Sequence, residues 1–331
     1  MDIVTTIFDD EAEFRLLRLQ AKSYTLVDPE SVNTVFIIYN DKHFDVFTNK
    51  KLPVLVNDYP EAFRGKLEFV DSEVFGIDRL TPGWLSQQQI KLAVSTIVKS
   101  ECYLVLDAKN HFIRKVTKGS FLSQEDAGKP YLYLGDSGSM ISCYLNCLKY
   151  FKAENQFTDI KRMPVTITPF IFISKYVTLL LRKISLRSFR NLHLLASHIA
   201  THKGFSKKHW IAESLLLLFS RDGYDSCTEF YLYTAFLVSQ KNLDDHFEIP
   251  VNISGFCVFS QNPEDHYWNS LDGKLIALED TNIKVFGLHR EVLRYLNDGY
   301  RNNLITLYST FYDELIVEYI RKEILPLDVT K

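Results

Sequence analysis

Asp107 and Lys109 stand two residues apart directly after an apolar run, Tyr103-Leu104-Val105-Leu106. Asn110 and His111 follow, with no turn glycine between. A carboxylate and an ammonium crowded at the end of a core strand are suited to holding a polar ligand. The lysine neutralises an anion and the carboxylate orients hydroxyl groups. The competing reading is a strand cap in which the two merely pair at the surface. Glu229 stands among apolar residues after an Asp-Gly turn, either as a functional carboxylate or as an acid that stabilises a helix start. His289 and Arg290 follow a short β-like run and can meet a phosphate, although a histidine that simply starts a helix fits equally well. Gln88 and Lys91 lie three apart, on one face of a helix, and so can contact one polar site.

Several common chemistries lack their motifs. No GxxxxGK phosphate loop occurs, no GxGxxG follows the first strand, and no GxSxG elbow is present. Gly-Asp-Ser-Gly-Ser at 135–139 resembles a serine-protease nucleophile turn, but the chain lacks that family's all-β character. His198 and His202, at i and i+4, have metal-ligand spacing. No acidic third ligand lies near them in sequence, and their surroundings are basic, so they are expected to be structural. The five cysteines include no CxxC pair. Cys143 and Cys147 read as buried thiols on one helix face, and no metal site is expected. Reduced thiols fit a cytoplasmic location.

The elements that must position these residues alternate in type. Asp2–Phe8 reads as a strand, and a helix capped by Asp9 or Asp10 follows, with Glu11 and Glu13 in its first turn. A second strand is expected across Val32–Asp41, bounded by Asn and Asp. His43–Thr48 and Leu52–Asp58 read as short β segments, and Lys66–Phe75 as another. A helix opened by Thr81-Pro82-Gly83 feeds into the strand that ends at Asp107. This alternation argues for an α/β layered sheet with parallel strands, whose ligand site lies at the strands' carboxyl ends. Asp9, Asp10, Asp41 and Asp107 all stand at such ends. A strand and a helix are expected across 131–151, a strand at 165–174, helices across 175–200, two more helices between 207 and 240, and a helical tail.

The net charge of −3 gives no general attraction to nucleic acid. Charge is unevenly distributed, however. From Ile160 to Ala212 there are ten Lys and Arg and no Asp or Glu. Such a segment attracts an anionic glycan, a phosphorylated ligand or an anionic membrane surface, unless acids from elsewhere balance it. The N-terminus lacks a signal-peptide pattern, and no run of about 18 apolar residues is present to span a bilayer.

The ordered set Gly83-Trp84-Leu85-Ser86-Gln87-Gln88, Asp107-Ala108-Lys109-Asn110 and Thr228-Glu229-Phe230-Tyr231-Leu232-Tyr233 resembles bacterial glycosyltransferases of the GT-A fold. It looks most like a DUF6492-type polysaccharide-biosynthesis group among them, over roughly residues 1 to 240. The resemblance implies a mixed sheet flanked by helices that binds a nucleotide sugar, within one domain spanning 1–331. Residues 1–115 would form the nucleotide-binding α/β half, 116–240 the acceptor side and 241–331 a helical C-terminal part. It implies catalytic roles for Asp107 and Glu229, the latter as a general base facing the cleft or as a ligand of donor sugar hydroxyls. Donor contacts would come from Asp9, Gln88, Lys91, Lys109, Asn110, His289 and Arg290. Tyr231, Tyr233, Arg187 and Arg190 would meet the acceptor. The implied partners are a nucleotide-sugar donor and a glycan or glycolipid acceptor for capsule or lipopolysaccharide, with peripheral contact to an anionic inner membrane.

GT-A enzymes commonly hold Mn²⁺ or Mg²⁺ with Asp-x-Asp against the donor phosphates. Here the second position is Lys109. A lone carboxylate beside a lysine is a poor site for a dication, and Asn110 adds one neutral oxygen at most. Lys109 is therefore expected to supply the positive charge itself. The alternative is a GT-A-like scaffold that has lost its metal site and serves as a non-catalytic binding or assembly subunit.

Overall fold

The computed structural model describes residues 1–8, 10–40, 43–123, 128–135, 140–156, 163–219, 227–240, 243–250, 256–259, 278, 280–294 and 296–326. Asp9, Asp41, Lys161, Arg162 and residues 136–139 of the Gly-Asp-Ser-Gly-Ser turn lie outside them, as does the Cys257 side chain. The strands are β1 (Asp2–Ile7), β2 (Val35–Tyr39), β3 (Leu67–Asp71), β4 (Cys102–Asp107), β5 (Asn110–Phe112), β6 (Leu134–Gly135), β7 (Met163–Pro164), β8 (Phe170–Ile173), β9 (Phe256–Phe259) and β10 (Val285–Leu288). Five of them form a mixed α/β sheet in the order β3-β2-β1-β4-β8, parallel except for β8.

Every residue of β1 and β2 is buried, because helices cover both faces of the sheet. Side chains alternate between two cores, as the two-residue period of a strand requires. Val4, Phe36, Ile38, Tyr103 and Val105 face the helices Gly83–Ala93, Ile141–Phe151 and Glu229–Ser239. Ile3, Val35, Ile37, Leu104 and Leu106 face Phe14, Leu17 and Ala21 of the Glu11–Ser23 helix. Asp10 caps that helix, its Oδ1 accepting the Glu13 N–H at 2.9 Å. Cys143, Cys147 and Cys227 are buried in the first core as thiols, not disulfides.

Two expectations are corrected. Residues 44–58 are helical rather than β. Phe47 and Leu55 are their buried apolar residues and pack against the Glu11–Ser23 helix, while Asp58 is gripped by Arg18 at 2.6 Å and Lys22 at 2.5 Å. Short apolar runs carry too little periodicity to separate helix from strand. The C-terminal part is not purely helical either. β10 runs parallel to β9 and antiparallel to β5, which ties this part to the α/β half. A third core joins Leu16 and Leu19 to Phe286, Leu304, Tyr308 and Val317. No helix among the described residues is long and apolar enough to cross a membrane.

His111 of β5 lies at this junction. Its Nε2 is 2.9 Å from the Tyr308 hydroxyl, and burial pushes its pKa down to about 3. The unfolded chain takes up that proton first, at an ordinary histidine value near 6.5, so stability contributed above that value is lost as pH falls toward 3. Between about pH 7.5 and about pH 5 this one group removes about 2 kcal/mol of unfolding free energy. Urea titrations should show His111→Gln losing that much less stability than the wild type over the same interval. An equal loss in both proteins contradicts the assignment.

Candidate active site

The sheet order places β2 and β3 on one side of β1 and β4 on the other, which is where parallel sheets open a crevice at their carboxyl ends. A cleft of about 350 Å³ lies there. Phe8, Glu13 and Leu16 follow β1, and Gly83, Trp84 and Gln87 come from the Gly83–Ala93 helix. Asp107, Ala108 and Lys109 follow β4, and His289 and Arg290 follow β10. A larger concavity of about 430 Å³ opens beside Met1, Ser100 and Cys102, at the opposite, amino ends of β1 and β4. The cleft with the converging charged groups is the candidate site.

Behind the cleft wall sits an ion-pair chain. Lys91, with a side chain only 5% exposed, lies 3.1 Å from Asp107 Oδ1 and 3.0 Å from Glu229 Oε1. Lys109 Nζ lies 2.7 Å from Asp107 Oδ2. Burial alone would raise the Asp107 carboxyl. Lys109 first and Lys91 second overcome this and hold it well below the usual carboxylate range, helped by hydrogen bonds from Lys109 and Thr168. Burial alone would likewise neutralise Lys91, but Asp107 and Glu229 hold it above its ordinary value.

The turn after β4 needs no glycine because side chains clamp it. Asn110 Oδ1 accepts the Asp107 N–H at 2.8 Å and lies 2.6 Å from Thr168 Oγ1, while its Nδ2 donates to the Thr168 carbonyl. Gln20 Nε2 donates to the carbonyls of Asp107 at 2.9 Å and Asn110 at 2.8 Å. The Leu288 N–H donates to the Lys109 carbonyl, which sets His289 beside Lys109.

The expected residues therefore divide. Asp107, Lys109, His289 and Arg290 line the cleft together. His289 is also a helix-start residue, as its alternative reading had it. Its Nδ1 accepts the Glu291 N–H, so the neutral ring carries its proton on Nε2. Burial, then the charges of Lys109 and Arg290, lower its pKa to about 4. Arg290 is braced by Asp10 at 2.9 Å and Glu13 at 3.2 Å.

The others are corrected. Glu229 is buried against Lys91 and does not line the cleft. Gln88 Oε1 accepts the Glu229 N–H, and Gln88 and Lys91 are buried behind the cleft. Asn110 is buried and holds the turn. Tyr231 and Tyr233 are core residues, the first against the Tyr144 ring and the second accepting the Ile173 N–H. Their helix is apolar on nearly all sides, and tertiary packing buries it from Glu229 to Leu237. Arg187 bonds the Tyr150 carbonyl and lies over that ring at 4.0 Å; neither it nor Arg190 lines the cleft.

Three groups at the site carried no assigned role in the sequence reading. Trp84 is half exposed at the rim. Glu13 appeared only as a helix-start acid, yet it faces the cleft, and burial raises its carboxyl despite Arg290. Thr168 Oγ1 lies 2.8 Å from Asp107 Oδ2 across 61 residues of sequence. No local signal marks that pairing.

A dication fits poorly at Asp107. Lys91 faces one carboxylate oxygen and Lys109 the other, so a metal would have to displace an ammonium. Among the described residues, the one set of three His, Cys, Asp or Glu ligand atoms within 4.8 Å of one another is elsewhere: His198, His202 and Glu213. An acid therefore accompanies those histidines in space, although none lies near them in sequence. Glu213 arrives from the Lys207–Phe219 helix and lies 2.9 Å from His198 Nδ1 and 3.0 Å from His202 Nε2. His198 Nε2 accepts the Ser206 N–H, which leaves the proton on Nδ1 for Glu213, so the trio reads as a hydrogen-bonded clamp.

The chain belongs to DUF6492, a family of unknown function, which it matches over residues 7–271. No curated protein matches it in sequence. Among solved structures it is similar to mouse xyloside xylosyltransferase 1, at 12% identity over 87% of this chain and 97% of that one, with a TM-score of 0.43. It is similar to the galactosyltransferase LgtC in complex with donor and acceptor sugar analogues, at 12% identity over 96% of this chain and 100% of that one, with a TM-score of 0.42. The bifunctional glycosyltransferase WbbM is similar at 9% identity over 98% of this chain and 52% of that one, with a TM-score of 0.46. At this degree of likeness nothing about this chain's chemistry follows.

Removing Lys91 leaves the buried Glu229 carboxylate without its cation and Asp107 with Lys109 alone. Lys91→Met should destabilise the fold by roughly 3–5 kcal/mol in urea unfolding. Adding Asp107→Asn and Glu229→Gln should recover most of that loss. A single variant as stable as the wild type contradicts the ion-pair account.

Proposed function

We propose that the protein is a glycosyltransferase that moves a sugar from a nucleotide-sugar donor to an acceptor hydroxyl. The observation that carries this reading is the convergence, in one cleft at the carboxyl ends of β1 and β4, of two cations, two carboxylates and a half-exposed tryptophan. Trp84 offers a face on which a base or sugar ring stacks. Lys109 and Arg290 carry the positive charge that a donor diphosphate needs as the bond from its terminal phosphate oxygen to the sugar breaks. The neutral His289 ring presents an Nε2–H donor to the same oxygens.

The leaving nucleotide keeps that bonding pair while the acceptor oxygen bonds to the anomeric carbon. The acceptor's proton goes to a base. Glu13 is the better-placed carboxylate, because its raised pKa suits proton transfer and Asp107 is too strongly held by lysines to take a proton. Asp107 instead orients Lys109 and accepts from a sugar hydroxyl. The sequence resemblance supports a bacterial surface glycan, in capsule or lipopolysaccharide, as the acceptor.

A second reading, a nucleotide-sugar-binding subunit without turnover, is favoured by the engagement of both Asp107 oxygens with lysines. Incubation with a panel of nucleotide sugars, following free nucleotide with and without EDTA, separates the two. The enzyme reading predicts release that survives EDTA, with kcat reduced at least ~100-fold in Glu13→Gln and in Lys109→Met. Binding without release supports the subunit. Neither binding nor release across the panel refutes both.

A further inference from the structure

The helix Leu192–Thr201 buries one residue, His198. A helix that packs on a globular core normally buries a stripe at least about 100° wide. This one leaves Leu192 75% exposed and Ile199 exposed as well, and it contains no Lys, Arg, Asp or Glu. Phe205, just beyond it, is 52% exposed. The preceding helix, Ser174–Ser188, buries Tyr176, Val177, Leu180, Leu181 and Ile184 and turns a mixed face outward. That face carries Lys175, Leu179, Arg182, Lys183 and Leu186, all exposed. Arg190 stands before the bare helix, and Lys203, Lys207 and Lys208 stand after it.

The surface is built to be held in place rather than left loose. The inner side of the bare helix is pinned by the His198–Glu213 bond and by rings: His198 lies 5.2 Å from Trp210 and 5.5 Å from Phe205. A fixed helix that keeps its leucines in water forgoes roughly 1.5–3 kcal/mol for each one that a partner would bury. The occupant must be apolar at depth and negative at its surface, because Arg182 and Arg190 precede the bare helix and Lys203 and Lys207 follow it, while Lys208 shares a concavity with Glu73, Asp78 and Glu213 and stays out of the contact.

We propose that this surface seats the protein on an anionic phospholipid bilayer. The Leu192–Thr201 helix lies in the headgroup layer with Leu192 and Ile199 toward the acyl chains. Arg182, Arg190 and Lys207 reach the phosphates, their aliphatic stems passing along the interface. Arg187, expected to bind the acceptor, is committed to Tyr150 and is not part of this contact. The inference stands independently of glycosyl transfer, since it uses no residue of the cleft.

Flotation with vesicles of phosphatidylcholine alone, and of equal parts phosphatidylcholine and phosphatidylglycerol, tests it. The protein should float with the anionic vesicles and be released by high salt. Arg182→Gln, Arg190→Gln and Lys207→Gln combined should weaken binding roughly a hundredfold, at about fivefold per cation. Leu192→Ser with Ile199→Ser should weaken it while thermal unfolding stays unchanged. In Leu192→Trp the emission should shift to the blue on adding anionic vesicles. A wild type that stays behind when the anionic vesicles float, equal binding to neutral vesicles, or a Leu192→Trp emission that does not move overturns the proposal. So does a self-associated form abolished by Leu192→Ser in a protein that binds no vesicle, because the occupant is then a second copy.

Discussion

A single buried ammonium organises the site. Lys91 comes from the Gly83–Ala93 helix and meets Asp107 at the end of β4 and Glu229 at the start of another helix. Glu229 is not tolerable in that interior without it, Asp107 relies on it together with Lys109, and Lys91 is not tolerable without the two carboxylates. The three elements are thereby fixed to one another directly behind the cleft, and Asp107 is held ionised where β4 meets solvent. The cleft's chemistry inherits its geometry from this interaction.

A hydrogen-bonded layer finishes the positioning. Gln20, Asn110 and Thr168 close the turn after β4, and β10 docks on β5 to bring His289 and Arg290 beside Lys109. Each of these side chains is buried or braced, so the groups that face the cleft have little rotamer freedom left. Preorganisation of this kind is what makes charge effective in a site of low polarity.

Much of the fold was legible in the chain. β2 and β4 read as strands because burial on both faces turns them into apolar runs, β1 because it is rich in β-branched residues, and the helix after β1 announced itself through Asp10, Glu11 and Glu13. Asp107 drew notice because a carboxylate that ends such a run has few structural excuses. What failed was sidedness. The Glu229–Ser239 helix is apolar on nearly all sides, so no period shows which way Glu229, Tyr231 and Tyr233 point. Lys91 finds Glu229 across 138 positions and Asn110 finds Thr168 across 58, distances at which local pattern is silent. Residues 44–58 failed for the opposite reason: their apolar runs are too short for either period to declare itself.

The central claim is that a lysine supplies, from the protein, the charge that related chemistry takes from a metal. Calorimetric titration of a nucleoside diphosphate into the wild type and into Lys109→Asp, each with EDTA and with Mn²⁺, tests it most directly. The account predicts that the wild type binds equally well in both conditions, and that Lys109→Asp, which restores Asp-x-Asp, binds only with Mn²⁺. Binding by the wild type that disappears in EDTA contradicts it.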